Sequence, residues 1–215
     1  RAYKPQSSSL GSGQVLHCPY TADKARIVVQ EMIDGISLEL VEKRLVTDQL
    51  VLTVGYDIEN LTRPEIRKVY KGPVTTDRYG RRVPKHAHGT WNLPRATSSS
   101  SELLEAMAAL YDKIVNPALL IRRMSLSACH VVNEKMAKER EQKETFEQLD
   151  LFTDYAKKEA KEKEEQKKRE RERRMQEALL TIKKKYGKNA VLRGMNFEEG
   201  ATAKERNGQI GGHQA

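Results

Sequence analysis

Cysteine is almost absent. Two in 215 residues, Cys18 and Cys129, are too few for a disulfide scaffold and lack metal-ligand spacing. We read both as reduced core thiols. Aromatic residues are scarce too, at 6% with a single Trp, which limits any stacking surface. No apolar run approaches the ~20 residues of a membrane span. The N-terminus carries no signal-like stretch. Acidic residues are the minority sign, 30 Asp+Glu against 39 Lys+Arg, for a formal net charge of +9. These shortages set aside secreted disulfide-rich and membrane-spanning classes, and the expected location is cytoplasmic.

What is present is unevenly spread. Residues 1–135 hold most of the Leu, Ile, Val and aromatics, with 19 Lys+Arg against 14 Asp+Glu. Residues 136–185 are mostly Lys, Arg, Glu and Gln. One ordinary domain with a charged tail fits this length. A positive balance on a compact domain favours a polyanionic partner, because neutralising phosphates releases counterions. The plainer alternative is a basic protein with no such partner. Residues 1–6, which include Tyr3-Lys4-Pro5-Gln6, read as a linker, so we expect the C-terminal part of a longer protein.

Hydrophobic spacing predicts the elements of residues 7–135. Ser7–Cys18 reads as a weak strand ended by Pro19. Thr21 then caps a helix to about Leu45, whose inward stripe is Ala25, Val28, Val29, Met32, Ile33, Ile36 and Leu40. Thr47–Asp57 alternates as a strand. A polar stretch, Glu59 to Val83, predicts an extended excursion or a hairpin rich in Arg and Lys. Lys85–Leu93 is the next strand. Ser101 is the expected cap of a helix to Val115, with Leu104, Met107, Ala108, Tyr111 and Val115 inward, and Ala118–Val132 is the last strand. The fold class is α+β, a split β-α-β-β-α-β: a four-stranded antiparallel sheet with both helices on one face.

The second face of such a sheet is uncovered and should be polar. His86, His88, Thr90 and Asn92 alternate away from Trp91 and Leu93, after Lys85. Arg123, Ser125 and Ser127 alternate away from Met124 and Leu126, beside Arg122. Such side chains donate hydrogen bonds to phosphates; an ordinary solvated face is the alternative. Trp91 and Tyr56 fall on the core side, so reading of sequence through stacked bases is not expected.

Beyond the domain come a charged helix (136–147), a break, a second charged helix (153–187) and a flexible tail (188–215). The second helix has one narrow apolar stripe, Met175, Leu179, Ile182 and Tyr186. In the break stands Gln148-Leu149-Asp150-Leu151-Phe152, three large apolar residues in five amid polar sequence. They fold back on the domain or fill a partner's pocket. Gln-Leu-x-Leu-Phe is the pattern with which many bacterial replication proteins bind the sliding clamp: Gln148 as polar anchor, Leu149, Leu151 and Phe152 as the apolar part.

Tyr3-Lys4-Pro5, Ser9-Leu10-Gly11-Ser12-Gly13-Gln14-Val15-Leu16 and Ile121-Arg122-Arg123-Met124-Ser125-Leu126-Ser127 carry a family resemblance. Residues 3–135 resemble the little-finger domain of Y-family translesion DNA polymerases, the UmuC/DinB-like UV-damage repair proteins of Gram-positive bacteria. The opening segment is similar to the family's link from thumb to first strand. The Arg122-Arg123 segment is similar to its arginine-bearing strand beside the DNA. The resemblance implies a DNA-gripping domain and clamp recruitment in error-prone damage bypass and the SOS response, with damaged or primed DNA and the sliding clamp as partners, at the nucleoid. It implies no catalytic residue, metal site or cofactor in this stretch; nucleotidyl transfer and its Mg²⁺ belong to a palm that the matched region does not include. Three other readings compete: an RNA-binding or ribosome-associated module with a charged helical arm, a metal enzyme built on His86 and His88, and a charged structural helix with a small cap domain.

Overall fold

The computed structural model describes residues 8–77, 79–145, 155–210 and 213–214. In chain order it has β1 (Leu10–Tyr20), α1 (Ala22–Lys43), β2 (Leu45–Tyr56), short helices α2 (Glu59–Thr62) and α3 (Pro64–Val69), and a hairpin of β3 (Val74–Thr76) and β4 (Arg82–Pro84). Then come β5 (Ala87–Thr97), α4 (Ser100–Ile114), β6 (Ile121–Cys129), β7 (Val132–Asn133), α5 (Glu134–Thr145), α6 (Tyr155–Tyr186), a 3₁₀ turn (Gly194–Phe197), α7 (Ala203–Arg206), β8 (Gln209–Ile210) and β9 (His213–Gln214).

The architecture is α+β, an antiparallel sheet with several helices. The main strand order is β1-β6-β2-β5, with β7 pairing the start of β2. Alternation decides which face is dry. Leu50, Leu52 and Val54 of β2 and Met124, Leu126 and Ala128 of β6 are buried in one cluster with α1 and α4. All seven stripe residues of α1 lie in that cluster. Each such aliphatic side chain contributes about 1.5–3 kcal/mol when fully buried. Arg44, left-handed at φ 54, ends α1 by donating its amide to the Leu40 and Val41 carbonyls.

Of the expected inward residues of α4, Met107, Tyr111 and Val115 are buried and Leu104 and Ala108 are not. Leu103, Ala106, Met107, Leu110 and Tyr111 are buried, while Leu104 and Ala108 are half-buried. Adjacent Leu103 and Leu104 leave the register ambiguous in sequence, and packing on β5 decides it. A Cβ on Gly89 would lie 2.8 Å from Ile114 and 2.9 Å from Leu110, so the glycine lets α4 sit close to the strand. The cap is Ser99, whose Oγ accepts from the Glu102 amide, rather than Ser101.

Two further expectations need correction. Cys18 is exposed and Cys129 only half-buried, so neither is a core thiol. Cys129 lies opposite Gln49 in the outward row, because it continues the Ser125–Ser127 alternation. Strand β1 runs through Pro19 to Tyr20. It is an edge strand with a register irregularity between Val15 and Tyr20, which is where a residue without an amide proton is tolerated.

The charged sequence beyond the sheet packs on the helix layer. Gln176 of α6 is 1% exposed and donates to the Ser98 carbonyl and Ser100 Oγ. Glu172 sits at the N-terminus of α4, accepting from the Ser101 amide and the Ser99 and Ser101 hydroxyls. Arg173 bridges Ser98 and Glu134. The anticipated apolar stripe of α6 is largely outward: Met175, Ile182 and Tyr186 are exposed, and the helix docks by polar residues instead. The described part of 188–215 differs from a free tail. Arg193 pairs with Asp34 at 2.8 Å, Lys24 with Glu199, and Thr202 and Ala203 bury against Glu31 of α1. Burial pushes the Asp34 carboxyl above its ordinary pKa against the pull of Arg193, and burial lowers the Lys183 ammonium beside it.

Candidate nucleic-acid interface

With α1 and α4 on one side, the other face of the sheet is open. Strand register sorts its residues into rows. Gly11, Ser127, Val51 and Thr90 form one row; Gly13, Ser125, Thr53 and His88 form the next. Val15, Arg123 and Gly55 make a third, and Gln49 with Asn92 lies at the opposite end. No Asp or Glu occupies these positions. The residues are short, so the face is low in relief and studded with hydroxyls.

Arg123 is the charge of this face, in the row at one end of it. Its side chain lies flat over Gly55, where a Cβ would fall 2.6 Å from both Cγ and Nε of the arginine. Glycine at 55 is thus what allows the guanidinium stem to lie down on the sheet. Among the described residues Arg123 has no hydrogen bond or ion pair, leaving its donors for a ligand. Arg122 is different. The register slips between Gly55 opposite Arg123 and Tyr56 opposite Ile121, so Arg122 is the extra residue of a bulge. It donates to the His17 carbonyl at 3.1 Å and lies 3.8 Å from Asp57.

Arg123, Ser125, Ser127, His88, Thr90 and Asn92 therefore share one face. Thr53 Oγ1 and His88 Nδ1 are 2.9 Å apart, and Gln49 donates to Asn92 at 2.9 Å. Lys85 and His86 lie just before β5, exposed, at the end of the sheet that carries Gly55 and Arg123. No group of three His, Cys, Asp or Glu side chains able to hold a metal ion forms among the described residues. Tyr56 is buried, with its hydroxyl accepting from the Asn116 amide, and Trp91 packs on the core, so neither reaches the open face. Gly11, Gly13, Thr53 and Gly55 were not named as site residues from sequence, although Thr53 and Gly55 alternate away from Leu52 and Val54. The signal was available in the glycines at alternate positions of the first strand, which leave room above the hydroxyl row.

The clamp-like residues Gln148, Leu149, Leu151 and Phe152 lie outside the described residues. No helix among the described residues is long and apolar enough to cross a membrane.

No protein-family model matches the chain, and no curated protein matches it. Among solved structures, one match is the little finger domain of PolIV in its complex with the beta-clamp processivity factor. The likeness is distant: TM-score 0.36 and 8% identity over 56% of this chain and 86% of that one.

Proposed function

We propose that this chain is the DNA-binding and sliding-clamp-docking C-terminal portion of a Y-family translesion DNA polymerase, acting in damage bypass in the bacterial cytoplasm at the nucleoid. In this reading residues 7–135 are its little finger. The observation that carries the proposal is the flat, carboxylate-free sheet face with Arg123 laid across Gly55. Hydroxyls and one uncommitted guanidinium suit phosphate oxygens of a duplex, whose backbone is regular and sequence-independent. The absence of aromatic side chains from that face disfavours base stacking, and with it a single-stranded RNA module. Clamp docking is supported by the Gln148–Phe152 sequence alone. Catalysis, with its Mg²⁺, belongs to the parent polymerase.

The test is a titration of the whole chain with primed duplex and with single-stranded RNA over a range of salt. Affinity for duplex should fall steeply as salt rises. Arg123→Ala should weaken binding to every DNA sequence alike and flatten the log–log salt slope by about 0.9, the loss of one phosphate contact. Tighter binding to RNA than to duplex, or an affinity indifferent to salt, would contradict the assignment.

A further inference from the structure

The excursion between β2 and β5 is not used by the sheet face, yet its β3–β4 hairpin is built with care. Asp77 organises the turn. Its Oδ1 accepts from the amides of Tyr79 and Arg81, both at 2.9 Å, and its Oδ2 accepts from Arg81 Nε at 2.9 Å. The Asp77 amide donates to the Arg81 carbonyl, and Gly80 supplies the left-handed residue at φ 78. The Asp77 side chain is only 7% exposed, so its charge is spent inside the turn. Outside it stand Tyr79, 65% exposed with the Arg81 guanidinium 5.1 Å from its ring centroid, and Arg82, also exposed. Residues 73–86 hold four Lys+Arg and one Asp.

The base of the hairpin is fixed as well. Val83 is buried, and Lys85 donates its amide to the Pro73 carbonyl. Three residues past Val83 the chain reaches His86 and then the Ala87–Val54 pair, at the end of the sheet where Gly55 faces Arg123. The basic tip therefore springs from the same end of the domain as the uncommitted arginine. The turn pairs its only acid with Arg81 and leaves an aromatic ring and the Arg82 guanidinium outward.

We propose that the β3–β4 hairpin is a second nucleic-acid contact, a preorganised finger, braced by the Asp77–Arg81 pair, that carries Tyr79 and Arg82 to the sugar-phosphate backbone of DNA beyond the edge of the sheet face. The inference rests on the DNA-binding reading above, and its test separates the two. The whole chain is titrated with fluorescent primed duplex carrying a single-stranded template overhang, at several salt concentrations. Arg82→Ala should weaken binding about three- to tenfold and flatten the salt slope by about 0.9. Tyr79→Ala should weaken binding with the slope unchanged. Asp77→Ala is the discriminating variant. It raises the net charge, so diffuse attraction alone would tighten binding, whereas loss of the organised tip should weaken it. Thermal melting of each variant confirms that the fold is retained.

Loss of affinity in all three variants supports the finger. If Asp77→Ala binds more tightly, or if the hairpin variants match the parent while Arg123→Ala is weakened, the finger is refuted and the sheet face stands. If the parent chain itself fails to bind duplex at low salt, both proposals fall together.

Discussion

Glu31→Ala should strip the C-terminal segment from α1 while leaving the sheet and its helices folded. Glu31 lies outside the apolar stripe of α1, yet its side chain is fully buried. Its Oε2 accepts from the Thr202 amide at 2.8 Å, the Ala203 amide at 2.9 Å and the Thr202 hydroxyl, and its Oε1 accepts from Asn196 at 2.7 Å. Arg206 approaches to 4.0 Å and also donates to Gln14. Losing one partner of a buried charged network costs about 3–5 kcal/mol, because the groups left behind stay desolvated. Here they need not stay buried, since residues 189–207 can lift off and rehydrate. The loss should therefore appear as local opening. Amide exchange at Thr202 and Ala203 should accelerate on the order of a hundredfold or more, at 1.4 kcal/mol per tenfold. Exchange at Leu52 and Leu126, in the sheet, should change far less. Unaltered protection at Thr202 and Ala203 in the variant would show that the segment is held by something other than Glu31.

This clasp marks the boundary of what the sequence made legible. Alternation and helical spacing identified the sheet, its dry face and the α1 stripe, because burial of Leu52, Leu126 or Ile33 leaves a periodic trace. The same logic found Arg123, Ser125, Ser127, His88, Thr90 and Asn92 as co-facial residues. Burial of polar residues leaves no such trace. Glu31, Gln176 and Thr202 look in sequence like solvated positions, and their partners are about 75 to 170 residues away. The docked face of α6 is polar while its apolar stripe points outward, so an amphipathic reading selects the opposite side. Asp77 is hidden for another reason. A loop rich in Arg and Lys reads as featureless until the hydrogen bonds of one carboxylate show that it is a turn with a fixed tip.

Leu151→Ala combined with Phe152→Ala should abolish binding to the bacterial sliding clamp and leave DNA affinity unchanged. In the sequence pattern, the Leu-Phe pair fills an apolar cleft and Gln148 anchors its edge. Burying the two side chains is worth about 1.5–3 kcal/mol each. Ordering the peptide offsets a good part of that, so the intact motif should bind at roughly micromolar strength. Removing both side chains then weakens the contact on the order of a hundredfold or more, beyond detection by calorimetry. The flanks of the motif are informative. Helix α5 begins at Glu134, which is tied to Arg173 of α6, and α6 is docked on α4. From Tyr155 to Arg173 the helix spans only ~27 Å. The motif is covalently tied to the domain that carries that face. Once the clamp encircles DNA already held by that face, the second contact forms at high effective concentration, and a weak peptide suffices. Asp150→Ala should bind nearly as the parent does, since that position carries no contact in the family pattern. A pull-down and calorimetry with purified clamp, run beside the DNA titration, give the answer. Retention of parental clamp affinity by the double variant would remove Gln148–Phe152 as the docking site, while a loss of DNA binding in the same variant would mean that the substitution had disturbed the domain rather than the peptide.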